Sequence, residues 1–218
     1  MGPPKATRVP YIPMLKENNV REGFFEYEEF VVLRANLPEH LRPVVTMAFY
    51  SGWRKSEILN LTWNKVDLLR KVIYLDPGTT KNNEGRMFFL DGELLEVIKK
   101  QKEVRDTLYP DCSWVFFNEG RPIREFKRSW KTACKRAGLP EKLFHDFRRT
   151  AIRDMVRANI PERVAMTVSG HKTRSVFERY NIVSQEDLKE AARKRSAYVN
   201  KMTGTIKGAE EFVKSLSP

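Results

Sequence analysis

The segment at residues 144–180 constrains this chain more than any other part of it. It reads FHDFRRTAIRDMVRANIPERVAMTVSGHKTRSVFERY, with apolar residues at helical spacing. The turn-forming pairs at residues 160–161 and 169–170 divide it. The pattern therefore predicts helices at residues 146–158 and 161–168.

A third, short helix is expected after the second turn, with Thr173 as its N-cap. The helical spacing indicates that its inward face carries Val176, Phe177 and Tyr180. A tyrosine at such a position is most often a core or rim residue.

His145 and Arg148 stand three residues apart and share a helix face with Ile152 and Met155. Placing an imidazole and a guanidinium beside apolar side chains costs free energy unless something pairs with them. An anionic ligand would pair with both. Taken alone, the two residues also fit a buried, hydrogen-bonded histidine at the start of a polar helix.

The charge balance points to a polyanionic partner. The chain of 218 residues has a formal net charge of +12 and a pI of about 9.7. Nucleic acid is the usual partner of such a domain, with a ribosomal or acidic-membrane partner, or a solubilising surface, as alternatives. Basic residues are dense at residues 127–136, 148–163, 172–179 and 189–195. This spread favours a basic concave face over a basic tail.

Hydrophobic residues make up 41% of the chain, which suits a globular protein. The sequence shows neither a signal peptide at its start nor an apolar run of the roughly 18 residues that a membrane span needs. Cys112 and Cys134 have the spacing of neither a metal knuckle nor a redox pair. We expect a cytoplasmic protein, associated with the nucleoid, with reduced thiols and no membrane partner.

The chain before residue 144 is mainly helical. Residues 1–19 are rich in proline and read as an extended basic linker. Further helices are predicted at residues 24–37, 41–50, 93–108 and 123–137, the last with Phe126, Trp130 and Ala133 facing inward.

A β-hairpin interrupts these helices. Residues 72–75 and 87–90 read as its strands, and the turn-rich loop between them carries Lys81. A lysine in a turn is usually just solvated, but this hairpin has the reach to enter a DNA groove.

Arg54 opens a helix after the small-residue turn Ser51-Gly52, and Glu57 follows it by three residues. The pair is either a surface ion pair of little energetic value or an arginine held near an apolar helix junction and oriented by Glu57.

The chain after Tyr180 starts with a capping box, Ser184 with Asp187, for a helix to about residue 198. Gly204 and Gly208 are expected to interrupt it. Residues 200–218 would then form a separate tail that packs in cis or docks on a neighbour.

Six residues occur in a set order, and they carry a resemblance: Arg54, Lys81, His145, Arg148, His171 and Tyr180. An arginine opening a helix, a lysine in a hairpin, H-x-x-R, G-H and a tyrosine nine residues later resemble the catalytic domain of the tyrosine recombinases, the phage integrase family. Each motif is weak alone, but six in order are specific. The resemblance covers residues 24–198.

The resemblance implies the chemistry. Arg54 and Arg148 would bind the non-bridging oxygens of a phosphodiester, with no metal or other cofactor. Tyr180 would attack phosphorus to give a 3′-phosphotyrosine and a free 5′-hydroxyl, so that rejoining needs no ATP. Lys81 would protonate the leaving 5′ oxygen, and His171 would hydrogen-bond a phosphate oxygen.

Two roles stay open. A free tyrosine loses its proton near pH ~10, so either His145 accepts the proton or the arginine pair favours the phenolate. Glu57 is expected to support the site by orienting Arg54 or its helix.

The expected fold is mainly α, with a small antiparallel sheet. Residues 20–199 would form the catalytic domain, and the proline-rich start would be the linker to the N-terminal DNA-clamp domain that members of the family usually carry. The partner would be double-stranded DNA, bound by a monomer that becomes a tetramer on recombining sites. Three alternatives remain: a type IB topoisomerase, a DNA-binding module without catalysis, and a metal-dependent nuclease using His145, Asp146 and His171.

Overall fold

The computed structural model describes residues 23–75, 85–180 and 185–215. Lys81, Ser184 and the expected linker at residues 1–19 lie outside these ranges. The helices within them, in chain order, are α1 (Tyr27–Ala35), α2 (Arg42–Ser51), α3 (Lys55–Leu59), α4 (Gly92–Leu108), α5 (Lys127–Arg136), α6 (Asp146–Arg157), α7 (Glu162–Ser169), α8 (Arg174–Glu178) and α9 (Gln185–Ser215).

Two small antiparallel sheets accompany the helices. The strands are β1 (Val66–Asp67), β2 (Val72–Leu75), β3 (Arg86–Phe89), β4 (Phe117–Asn118) and β5 (Arg121–Pro122). The first three form one sheet in chain order, and the last two form a hairpin. In the predicted hairpin, Val72 pairs with Phe89 and Leu75 with Arg86. The mainly α fold with a small antiparallel sheet is confirmed.

The main core surrounds α2, whose residues are mostly buried and which packs against α1, α3, α4 and α6. Aromatic rings fill the space between these helices. The rings of Phe25 and Phe147 stack at 4.3 Å, and those of Phe30 and Phe49 at 4.2 Å. Pairs at these separations contribute beyond their buried area. The α6 helix is therefore anchored at Phe147, directly before Arg148.

A smaller apolar cluster holds α7 and α8 on α6. It consists of Ala151, Ile152, Met155, Ala165 and Phe177, with Tyr180 partly buried against it. Phe177 is fully buried, as predicted, but Val176 is 39% exposed and the prediction that it faces inward was wrong. A helix as short as α8 turns one side chain into the cluster and leaves its neighbour in solvent.

Three helix boundaries differ from the sequence prediction by three residues or more. The α1 helix begins at Tyr27 rather than residue 24. The α5 helix begins at Lys127 rather than residue 123, because β5 ends at Pro122 and residues 123–126 continue as irregular chain up to the N-cap, Phe126. Phe126, Trp130 and Ala133 are nevertheless buried as expected. The α9 helix continues through Gly204 and Gly208 to Ser215, so the predicted interruption was wrong. A glycine costs a helix about 1 kcal/mol without ending it.

Among the described residues, no helix is both long enough and apolar enough to cross a membrane.

The stacked ring of Phe147 makes a test of this packing. We expect Phe147→Ala to lower the free energy of unfolding by about 3–5 kcal/mol, because it removes a large buried ring and leaves a cavity. Urea unfolding followed by circular dichroism measures it. The matched control is Phe89→Ala, whose ring is 69% exposed and whose loss should change stability by about 0.5 kcal/mol or less. Equal losses at the two positions would contradict the packing.

Candidate active site

Two helix ends meet at the centre of the site. The α2 helix ends at Ser51 and the α7 helix at Ser169, and each is followed by a glycine in the left-handed region, Gly52 at φ 63° and Gly170 at φ 73°. Glycine adopts this backbone without strain, which is why it commonly ends helices. Both ends present main-chain carbonyl groups that the helix itself does not use.

Arg148 joins these two helix ends. Its Nη1 donates to the Gly52 carbonyl oxygen at 2.7 Å and to the Ser169 carbonyl oxygen at 2.6 Å. The side chain is almost fully buried, and no carboxylate within the described ranges forms an ion pair with it. The carbonyl dipoles at two helix C-termini instead offset the cost of burying the cation.

His171 sits beside Arg148 in a hydrogen-bond chain of defined direction. Its Nε2 lies 2.9 Å from Arg148 Nη2, and its Nδ1 lies 2.8 Å from Ser169 Oγ. Because arginine can only donate, Nε2 accepts and the ring proton is on Nδ1, which donates to Ser169 Oγ. Ser169 Oγ then donates to the Ala165 carbonyl oxygen at 2.7 Å. This order requires a neutral imidazole.

The electrostatics agree with a neutral ring. Burial, followed by repulsion from Arg148 and Arg54, lowers the pKa of His171 to about 3. Burial and the nearby Arg54 also lower the pKa of Arg148 to about 10. Crowded cations that are short of negative charge make a strong anion site, because a bound anion relieves their repulsion.

Glu57 is the carboxylate at the edge of this cluster. Its Oε2 accepts from the Arg54 main-chain N–H at 2.9 Å, and its Oε1 lies 3.1 Å from Arg54 Nη1. Burial alone would raise the pKa of Glu57, but Arg86 and Arg54 outweigh burial and lower it. The Glu57 side chain of the Arg54–Glu57 ion pair is buried, so this is not a surface ion pair. Arg54 keeps about a quarter of its side chain exposed, open to a ligand.

Arg86 is the residue that the sequence reasoning missed. It lies at the start of β3 and is 6% exposed, with Nη2 2.7 Å from Glu57 Oε2 and its guanidinium over the Trp53 ring at 5.0 Å. A Cβ on Gly170 would lie 1.5 Å from Arg86 Nη1, and φ is 73° there, so the turn before His171 favours glycine. Arg86 thus ties the hairpin to both Arg54 and the His171 turn.

No local pattern singled out Arg86, since it is one of 40 basic residues. The strand predicted at residues 87–90 begins one residue earlier in the structure, and this earlier start places Arg86 opposite the buried Leu75.

Tyr180 is docked in the site of its own chain. Its hydroxyl oxygen lies 3.2 Å from His145 Nε2, and its ring centroid lies 5.0 Å from that of His171. The guanidinium of Arg148 lies 5.7 Å from the ring centroid. Burial, then repulsion from Arg148 and Arg149, lowers the pKa of His145, so this imidazole is neutral at pH 7 and able to accept a proton.

The structure therefore brings five of the six predicted site residues together, with Glu57 beside them: Arg54, His145, Arg148, His171 and Tyr180. The sixth, Lys81, lies outside the described residues.

The residues proposed for a metal-dependent nuclease do not converge. The Asp146 carboxylate accepts from the Leu143 main-chain N–H at 2.7 Å and lies under Gly23, whereas His145 and His171 face Tyr180. No group of three or more His, Cys, Asp or Glu suited to a metal ion occurs in the part of the chain that the structure describes.

The sequence profile of the Phage integrase family matches residues 23–187. This chain belongs to that family. It is 29% identical over 200 residues to the integrase of Salmonella phage P22, in an alignment that covers 85% of this chain and 50% of that protein. The chain thus spans about half the length of this relative.

Solved structures show the same fold. The crystal structure of XerA recombinase superimposes with a TM-score of 0.68 at 20% identity, covering 89% of this chain and 67% of that one. A lambda integrase dimer bound to a COC′ core site gives a TM-score of 0.62 at 18% identity, covering 76% of this chain and 49% of that one.

The shortage of negative charge at Arg148 and His171 leads to a prediction by NMR. In the free protein the His171 ring should stay neutral down to about pH 4, because its pKa is about 3. Saturating inorganic phosphate should raise that pKa, since an anion favours the charged imidazole. His40, which lies elsewhere beside Glu119, is the matched control and should not respond.

The sign of the stability change follows from linkage. The unfolded chain takes up a proton at His171 near its ordinary pKa of about 6.5, while the folded chain resists protonation down to about 3. The free energy of unfolding should therefore fall as pH is lowered through that window. A His171 that titrates near 6.5 in the free protein would contradict this site.

Proposed function

We propose that this chain is the catalytic part of a site-specific DNA recombinase that cuts and rejoins strands through a 3′-phosphotyrosine at Tyr180. The observation that carries the proposal is the docked Tyr180 hydroxyl, held against neutral His145 beside a cluster of arginines whose charge Glu57 only partly balances, so that the site favours an anion. The net charge of +12 supports double-stranded DNA as the substrate.

The anion would be the scissile phosphodiester. Arg54 has an exposed guanidinium oriented by Glu57, and Arg148 is fixed by two helix ends with donors to spare. Together they would bind the non-bridging oxygens and stabilise the charge that builds up on phosphorus in the transition state. Because the two groups are held before the substrate arrives, little reorganisation is needed during the reaction.

In the chemical step, a bond forms between Tyr180 Oη and phosphorus while the bond from phosphorus to the 5′ oxygen breaks. The Tyr180 proton passes to His145 Nε2, and Lys81 gives a proton to the departing 5′ oxygen. Attack by a 5′-hydroxyl then reverses each of these transfers. The phosphotyrosine conserves the energy of the phosphodiester bond, so rejoining requires neither ATP nor a metal ion.

His171 would donate to a phosphate oxygen once DNA is bound. Its Nε2 accepts from Arg148 in the free site, so this role requires a proton on Nε2. The negative phosphate raises the pKa of the ring, so that Nε2 takes up a proton from solvent. The phosphate also draws Arg148 Nη2 toward itself, which leaves Nε2 free to donate.

Assembly on DNA is also part of the proposal. The α9 helix projects an exposed apolar stripe of Leu188, Tyr198, Val199 and Met202. Such a stripe suits contact with a neighbouring copy, and a chain that is monomeric alone and tetrameric on paired sites would exchange strands. A type IB topoisomerase, which relaxes supercoils as a monomer, is the second candidate. Either enzyme would act in the cytoplasm, on DNA of the nucleoid.

A duplex nicked near the cleavage site, incubated with the protein in EDTA, tests the nucleophile. We expect a covalent adduct on a denaturing gel that maps to Tyr180, because the nick lets the short 5′-hydroxyl fragment leave before it can rejoin. Tyr180→Phe should bind the duplex as well as the wild type and form no adduct. An adduct with Tyr180→Phe would overturn the mechanism.

Relaxation of a supercoiled plasmid without strand exchange between two sites would identify the topoisomerase instead. Binding without any adduct would leave a DNA-binding module.

The proton acceptor is tested at His145. We expect His145→Gln to slow adduct formation by about 10²–10⁴-fold, the usual size of general-base catalysis, with DNA affinity unchanged. His40→Gln, which changes a histidine away from the site, is the control. A His145→Gln rate within about 3-fold of wild type would contradict a proton-accepting role for His145. It would indicate that the arginine pair activates Tyr180.

A further inference from the structure

Arg149, the residue after Arg148 on α6, has no part in the scheme above. Its Nε and Nη1 are buried and find no hydrogen-bond partner among the described residues. Its guanidinium carbon lies 5.6 Å from the centroid of the Tyr180 ring. A cation at this distance from an aromatic ring is attracted by the negative face of the ring.

The other arginines of α6 donate to carbonyl oxygens or pair with carboxylates. Arg148 donates to two helix-end carbonyl oxygens, Arg153 pairs with Glu26 and Asp154, and Arg157 pairs with Asp187. Within the described part of the chain, the Arg149 guanidinium contacts the Tyr180 ring and forms no ion pair with a carboxylate. A carboxylate partner would pull the guanidinium off the ring and neutralise the charge that attracts it.

We propose that Arg149 is a positioning residue that holds the Tyr180 ring, so that the hydroxyl stays at His145 and faces the scissile phosphorus. The proposal rests on the function assigned above, with Tyr180 as the nucleophile. The attraction strengthens during the reaction, because the ring becomes more electron-rich as the hydroxyl gives up its proton.

The charge of Arg149 also acts on His145. After burial and Arg148, repulsion from Arg149 is the next contribution that lowers the pKa of His145. Arg149 therefore acts on both members of the Tyr180–His145 pair, holding one in place and keeping the other neutral. Tyr180 follows the short α8 helix, whose one buried anchor is Phe177, so its ring needs a further contact to fix its direction.

The main competing role for Arg149 is a direct contact with the scissile phosphate, and the charge of the substrate separates the two. A methylphosphonate at the cleavage position lacks one negative oxygen. A variant that has lost a phosphate-binding cation should cleave this neutral substrate with a smaller defect. A variant that has lost a contact to the nucleophile should be equally defective on both substrates.

The experiment compares Arg149→Gln, Arg149→Lys and Arg54→Ala on nicked duplexes carrying a phosphate or a methylphosphonate. We expect Arg149→Gln to slow adduct formation by about 3- to 30-fold on both substrates, from the size of a cation–π contact, and Arg149→Lys to recover most of the rate. The Arg54→Ala defect should shrink on the methylphosphonate. Arg128→Gln removes the same charge from the exposed face of α5 and is the control for DNA affinity.

Two outcomes would overturn the proposal. One is an Arg149→Gln rate equal to that of Arg128→Gln. The other is an Arg149→Gln defect that disappears on the methylphosphonate, which would make Arg149 a phosphate ligand.

A second readout needs neither catalysis nor DNA. With 3-fluorotyrosine incorporated, the Tyr180 resonance is assigned by its loss in Tyr180→Phe. Its fluorine chemical shift should differ from that of a solvent-exposed fluorotyrosine in wild type and in Arg149→Lys. In Arg149→Gln the chemical shift should move toward the solvent-exposed value. If Arg149→Gln fails to fold, Arg149→Met, which keeps the apolar stem, replaces it. An unmoved resonance overturns the positioning role, whereas failure of the wild type to form an adduct tests the proposed function separately.

Discussion

The buried guanidinium of Arg148 is the interaction on which the rest of the site depends. It bridges the C-termini of α2 and α7 through the Gly52 and Ser169 carbonyl oxygens. A buried cation without a carboxylate is usually costly, and here helix-end dipoles take the place of the counter-ion. A carboxylate would stabilise the folded chain equally well, but it would also neutralise the charge that, in the proposed function, binds the phosphate. The arrangement keeps the cation fixed and electrostatically unsatisfied.

The same shortage of negative charge extends to the edge of the site. Glu57 serves both Arg54 and Arg86, so one carboxylate is shared by two guanidiniums, and Arg148 stands beyond them. Burial and the positive charges of these arginines lower the pKa of the nearby imidazoles, His145 and His171. Both histidines of the site are therefore neutral in the free protein, one able to accept the proton of Tyr180 and the other prepared to become a donor when an anion arrives. In the proposed reaction, substrate binding and protonation would be coupled through these shared charges.

Much of this arrangement was predictable from sequence, and the remainder depended on contacts between distant residues. Helical periodicity located α2, α4 and α6 because each has a wide apolar face, and the two Ser-Gly pairs marked the helix ends that Arg148 joins. The two-residue strands β1, β4 and β5 carry too few residues to show alternation. Arg86 is important through partners about thirty and eighty residues away, Glu57 and Gly170, which no local pattern contains. The length of α9 was missed because glycine was treated as a break rather than a small cost.

The position of Tyr180 follows from how its helix is attached. Phe177 is buried in the small cluster with Ile152 of α6 and Ala165 of α7, and Tyr180 follows one turn later. The helices that hold this anchor also carry Arg148 and lead directly to His171. A shift of α7 or α8 relative to α6 would therefore displace Tyr180 together with Arg148 or His171. The proposed reversible cut requires the phosphotyrosine to stay where the 5′-hydroxyl can attack it, and anchoring Tyr180 in the same small core as its partners would meet that requirement.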